Sequence, residues 1–295
     1  MERELWRWIV RGLKRLPRWW PRGAVYDNRV VLAVLLWAAL HDRSITWACQ
    51  RINWPVQAWR RRLPDQSTLS RRLRDPRVLE DLERLAVIVQ RHLPNSDSAL
   101  IVDGKPLPVS VFSGDAEAKL GWGAGRHAKG YKLHALVDGA QRLVGWVVHP
   151  MNHAECTAAG ELLQKAARRG LLRRGALVLG DASYDSNPLH AIAAESGVRL
   201  IAPRRRPQLR LCANRRHHPA RLAAIEFTER DPSSRPLMRC VRTQIERYFG
   251  SLATVGGGLI ALPAWARRLH RVRAWVGAKL VLNAARNAIR PRAVA

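Results

Sequence analysis

A chain of 295 residues with 47% hydrophobic content is long enough for one large domain or two of ordinary size and can bury a core. Against 23 acidic residues it carries 51 lysines and arginines, a formal net charge of +28, so a large polyanion is the expected partner; the basic residues run along the whole length, which fits nucleic acid better than a membrane surface. The longest apolar stretch, Val30 to Leu40, stops well short of the ~20 residues that span a bilayer, and no cleavage-like motif follows it, so a cytoplasmic protein is expected.

Residues 1–96 are predicted to form an all-helical region. Val30 to Leu40 suits a buried helix, and the stretch from Pro76 to Leu93 repeats apolar residues at Val78, Leu82, Leu85 and Val89. Trp6, Trp8, Trp19, Trp20, Trp37, Trp47, Trp54 and Trp59 crowd this region, several beside arginine. Such interleaving can stack on DNA, while Trp37 and Trp47 also suit a core. From Asp65 to Arg74 the sequence offers Ser67 as a helix cap, Leu69 and Leu73 as an apolar pair, and Arg71, Arg72 and Arg74 on the outer side. Two readings stand side by side there: a helix touching DNA phosphate, and a basic helix that only packs on its neighbours.

From Ala99 the pattern changes to short apolar runs between turn residues, which places a domain boundary near 95–98. Strands are predicted at 99–104, 131–137, 143–149, 177–180 and 198–202, with helices near 154–169 and 186–196. Asp138-Gly139 reads as a hairpin turn, and the later strands alternate with helices and should pair in parallel, so the fold class is α/β with a mixed sheet in the order βββαβαβ followed by helix. Seven arginines without matching acids fill 203–221, predicted to be a loop within a basic insertion at 203–235 that faces phosphates through Arg204, Arg205 and Arg206. A closing helix is predicted from Leu269, Val272, Val276 and Leu280.

Asp103 follows a short apolar strand and precedes Gly104; Asp181 repeats that placement after Leu177 to Gly180. If the first and fourth strands are neighbours the two carboxylates meet, and they repel unless a cation intervenes. Magnesium suits such a site because it takes oxygen ligands and is held by one or two carboxylates plus substrate phosphate. Glu246 is the candidate third acid, four residues beyond Arg242 on one helical face, a spacing that equally describes a surface ion pair. Asn152 to Glu155 reads as a helix cap with a glutamate three residues on. His217-His218 lacks partners at metal-ligand spacing, and Cys49, Cys156, Cys212 and Cys240 form no C-x-x-C pair, so neither zinc nor disulfides are expected.

Five segments in this order carry a family resemblance: Asp103-Gly-Lys-Pro-Leu-Pro-Val109, Lys129-Gly-Tyr-Lys-Leu-His134, Asn152-His-Ala-Glu155, Gly180-Asp-Ala-Ser-Tyr-Asp185 and Arg242-x-x-x-Glu246-Arg247. Together they resemble the IS4/IS5-type insertion-sequence transposases of the DDE superfamily; two further positions of the family signature, a tyrosine and a lysine, are Arg239 and Ala253 here. The resemblance implies an RNase H-like catalytic domain over 97–290 behind an N-terminal DNA-binding region over 1–96. It also implies a catalytic and metal-binding triad of Asp103, Asp181 and Glu246 holding two Mg²⁺ or Mn²⁺ ions, and cleavage at terminal inverted repeats followed by strand transfer into target DNA. Arg242, Arg247, Lys129, Lys132, Arg71 and Arg72 are the further candidates for contact with double-stranded DNA, which a homodimer is expected to hold as paired ends and to accompany in the nucleoid. The alternatives are a nuclease of the same fold that cuts without joining, and a non-catalytic DNA-binding descendant of a transposase.

Overall fold

The computed structural model describes residues 2–59, 61–93, 99–123, 125–211, 216–254, 258, 259 and 261–289. The boundary expected near 95–98 therefore lies outside the described residues. Two compact units are present, one bounded by Met1–Pro94, Ser113–Glu117 and Gly250–Ala295, the other by Asn95–Phe112 and Ala118–Phe249.

The first unit is helical. Helix α1 (Glu2–Arg15) buries Leu5, Trp6, Ile9 and Leu13 along one stripe, the pattern a one-sided helix needs. Helix α2 (Asn28–Leu40) is buried over almost its whole length; it starts where the Asp27 carboxylate accepts the Val30 amide. The short α3 (Ile45–Ala48) precedes α4 (Gln66–Arg72), whose cap is Asp65 rather than Ser67. Asp65 accepts from the Thr68 amide at 2.8 Å and the Ser67 hydroxyl at 2.7 Å, so Ser67 sits in the first turn and serves the cap instead of forming it. Helix α5 (Pro76–Val89) buries Val78, Leu82, Leu85 and Val89, the four positions whose spacing predicts it. The closing helix, α10 (Leu269–Ile289), buries Val272, Val276 and Leu280 and packs on α5, α2 and α1.

Four of the eight tryptophans here are core. Trp6, Trp37, Trp54 and Trp59 form a cluster with Trp37 stacked on Trp54 at 4.6 Å, and the indole N–H groups of Trp6, Trp37 and Trp54 donate to the carbonyls of Ala58, Asn53 and Ala48. Large rings with a satisfied polar edge fill space between helices at little cost.

The second unit is a six-stranded mixed sheet with helices. Its strands are β1 (Leu100–Pro108), β2 (Lys119–Gly123), β3 (Arg126–Asp138), β4 (Leu143–Pro150), β5 (Leu177–Leu179) and β6 (Arg199–Ile201). Strand β3 pairs antiparallel with β1, β2 and β4, and β1 continues in parallel to β5 and then β6, giving a path β4-β3-β1-β5-β6 with β2 added along the Arg126–Gly130 stretch of β3. Helices α6 (Glu155–Arg168) and α7 (Asn187–Glu195) close one core over Val102, Leu136, Val147 and Val178.

Three expectations change. Strand β1 runs on to Pro108, so Asp103 lies inside it and not at its end; the ladder to β3 continues through Gly104↔His134 and Pro106↔Lys132, and pairing overrides the turn-forming composition. Strand β2 was not expected, because its inward positions are Gly121 and Gly123 while its large apolar residues, Leu120 and Trp122, are exposed. Gly130 explains why β1 and β3 approach so closely there: a Cβ at that position would stand 2.3 Å from the Leu107 carbonyl oxygen. The end of the arginine-rich segment is helical, since α8 (Pro219–Arg230) begins at the His218 cap with Pro219 in its first turn; the described stretches 203–211 and 216–218 are irregular. Helix α9 (Ser234–Thr254) follows and carries Arg242 and Glu246.

Candidate active site

The parallel ladder between β1 and β5 is short, Leu100↔Val178 and Ile101↔Leu179. Asp103 and Asp181 each lie two residues beyond the second pair, so the register brings the two aspartates side by side where β5 leaves the sheet. Asp181 is exposed and opens a 3₁₀ turn, Ala182–Tyr184, by accepting the Ser183 amide at 2.7 Å. Asp103 accepts the Gly104 amide at 2.7 Å. Burial, reinforced by the charges of Asp181 and Glu155 and only partly offset by the Gly104 amide and Lys132, pushes the Asp103 carboxyl up to about 7. Acidic side chains gathered with so little compensation form a site that a cation would relieve.

Behind Asp103 lies a group that the sequence patterns did not reveal as a unit. Lys132 donates to Glu155 at 2.6 Å, and only 8% of the lysine side chain is exposed. Helix α6 begins at Glu155 with Ala154 at its cap position and no side-chain capping bond. The reading of Asn152 to Glu155 as a helix cap is therefore corrected: Glu155 is drawn to Lys132. Burial alone would raise its carboxyl, but the Lys132 hydrogen bond and charge outweigh that and lower it. Gly104 leaves room for this arrangement, because a Cβ there would stand 3.1 Å from the Lys132 side chain and 3.4 Å from the His134 ring. His134 is fully buried, neither ring nitrogen has a hydrogen-bond partner among the described residues, and burial pulls it down to about 3, so it is neutral. Tyr184 is also buried and its hydroxyl is raised by burial and by the charges of Asp103, Glu155 and Asp181. The available signal was Lys132 and His134, two polar residues spaced by two in the otherwise apolar run 131–137.

Glu246 and Arg242 are joined at 2.9 Å, with side-chain exposures of 62% and 82%. The hydrogen bond to Glu246 is the main reason the Arg242 guanidinium is raised, and the charges of Asp103 and Asp181 contribute to the same shift. Helix α9 thus brings a cation within the electrostatic reach of both aspartates, while Glu246 itself is engaged by Arg242. Among the described residues no three histidine, cysteine, aspartate or glutamate side chains converge closely enough to hold a metal ion.

The basic candidates divide by exposure. Arg71, Arg205, Arg206 and Arg247 are exposed, and Lys129 is half-buried on β3 opposite Leu120. Arg204 is tied to Glu229 and donates to the Pro207 and Leu209 carbonyls. Two candidates are not surface contacts. Lys132 is spent on Glu155, and Arg72 is 7% exposed, donates to the Tyr26 carbonyl and lies over Trp19. A long cationic side chain is buried wherever a partner waits for it.

The family model described as "Transposase DDE domain" matches residues 94–283. The chain belongs to that family, the DDE transposases, a class of DNA-acting enzymes of the nucleotidyl-transferase type that use divalent metal ions. No curated protein and no solved structure matches it. No helix among the described residues is long and apolar enough to cross a membrane.

Proposed function

We propose that this chain is a transposase of the IS4/IS5 type that binds the ends of an insertion sequence, cleaves the DNA there and joins the freed 3′ end to target DNA. The observation that carries the reading is the register of β1 on β5, which sets Asp103 beside Asp181 within the family-matched segment. The path β4-β3-β1-β5-β6, antiparallel on one side of β1 and parallel on the other, supports an RNase H-like core.

Asp103 and Asp181 are suited to hold Mg²⁺ or Mn²⁺: one is half-buried with like charges near it, the other is open to solvent, and both offer oxygen ligands. A bound pair of such ions supplies activation of the attacking hydroxyl and stabilisation of the leaving oxygen in an in-line displacement. The protein's own side chains do the rest. Arg242 places positive charge in the field of the two aspartates, where the scissile phosphate has to sit. Lys132 holds Glu155 in a fixed ion pair, which limits the net negative charge around Asp103. Glu246 is assigned as the third acid, reached when DNA phosphate takes Arg242 away from it; the 2.9 Å pair is the resting arrangement in this reading.

The test is an oligonucleotide assay with Mg²⁺ in which a labelled end is offered together with a target duplex. Cleavage and joined product are expected from the wild type. Cleavage without joining would move the assignment to a nuclease, and cleavage that persists in Asp181→Ala would overturn the catalytic reading.

A further inference from the structure

We propose that Asp185 and Arg221 form a positioning clamp that fixes the arginine-rich segment after β6 against the turn carrying Asp181, so that phosphates held by that segment are presented to the acid pair. The presentation rests on the transposase reading; the clamp itself does not.

The two ends of the clamp are 36 residues apart in sequence. Arg221, in the first turn of α8, donates from Nε and Nη2 to the two oxygens of Asp185 at 2.7 Å each, the fork-to-fork geometry that fixes orientation as well as distance. Side-chain exposures are 14% for Arg221 and 5% for Asp185, so solvent weakens the pair little. Second contacts reinforce it. Arg221 Nη1 meets His217 Nδ1 at 2.9 Å, Asn187 donates to the Arg216 carbonyl, and the His218 amide donates to the Asn187 side chain, the last two at 3.1 Å. The segment 185–187, just past the Asp181 turn, is therefore stapled to the stretch 216–221 by both side chains and backbone. Although burial works the other way, Arg221 and His190 hold the Asp185 carboxyl down to about 2.

The other root of the arginine segment is also fixed to α8. Arg204, just past β6, forms a two-pronged ion pair with Glu229 near the far end of that helix. Helix α8 is thus tied near its far end to the root of the stretch on which Arg205, Arg206 and Arg210 are exposed, and at its start to Asp185, four residues after Asp181. Neither Asp185 nor Arg221 is required as a ligand or phosphate contact in this arrangement; each acts through what it positions.

The test uses the full chain, a short blunt duplex as probe, and EDTA, so that binding is read without chemistry. The slope of log affinity against log salt counts phosphates engaged, at about 0.9 per phosphate on duplex DNA. Arg205→Ala/Arg206→Ala/Arg210→Ala should flatten that slope by roughly 2–3. Arg221→Lys keeps the charge but loses the fork, and should flatten it in part; combined with the triple variant it should add nothing. With Mg²⁺ and cleavable DNA, Arg221→Lys should raise KM severalfold and leave kcat at saturating DNA near the wild type. Additive slopes, or a wild-type slope in a folded Arg221→Lys protein, overturn the clamp. Asp185→Asn supplies the same cycle if Arg221→Lys lowers the melting temperature. An absence of cleavage in the wild type would sink the transposase reading while the EDTA cycle still decides the clamp.

Discussion

Three acids of the helical unit and Asp103 of the sheet unit are held in opposite ways. In the helical unit Asp27 accepts from Arg18 at 2.9 Å and faces Arg61 at 3.4 Å, Asp81 accepts from Trp19 and Asn28 at 2.7 and 2.6 Å, and the half-buried Asp42 is paired with the buried Lys279. In the sheet unit, Asp103 accepts only the amide of its own neighbour among the described residues, and the nearby charges of Asp181 and Glu155 outweigh that of Lys132. A network whose donors and acceptors match serves the fold; a carboxyl held against its own preference is a place for a cation or a substrate to supply what is missing.

The largest expected effect comes from removing that uncompensated pair. Asp181→Ala should cut Mg²⁺-dependent DNA cleavage by at least ~10³-fold while changing duplex affinity less than threefold; equal losses in both would show that Asp181 serves the fold. Glu246→Gln sharpens the comparison at α9, because a third acid should cost cleavage about as much as Asp181, whereas a mere surface partner of Arg242 should cost almost nothing.

On the compensated side, Asp81→Ala strands the Trp19 indole and the Asn28 amide and should lower unfolding free energy by about 3 kcal/mol in denaturant titrations. Asp103→Asn should do the reverse in metal-free protein. With the folded carboxyl near 7 and the unfolded one near ~4, the folded state keeps a proton that the unfolded state releases, so wild-type stability falls as pH rises through that window. The asparagine variant should gain about 2–4 kcal/mol over the wild type at pH 8 and nothing below pH 4. No gain at pH 8 would mean that Asp103 is adequately compensated after all. The smallest effect is expected at α4: Arg71→Ala should reduce the salt slope of DNA binding by about one phosphate, while Arg72→Ala should lower the melting temperature instead.

Much of this was legible in the chain itself. Apolar spacing marks α2, α5, α10 and five of the six strands, because burial imposes its period directly on residue type. Asp103 and Asp181 stand out because each breaks an apolar run. Glu246 was legible only through its family context, since four-residue spacing from Arg242 describes an ion pair equally well, and the ion pair is present.

Long-range pairing decided the remainder. That β1 lies beside β5, and in the register that aligns Ile101 with Leu179, depends on two strands separated by three others and a helix, and no local pattern encodes that register. Lys132 became an interior residue because Glu155 meets it from another element, and Arg72 because the Tyr26 carbonyl and Trp19 do. In the same way α10 joined α1, α2 and α5 across most of the chain length. Residue type by itself determined which segments had to be buried and which carried chemistry; tertiary structure alone decided which charges have partners, because compensation is a property of neighbours in space.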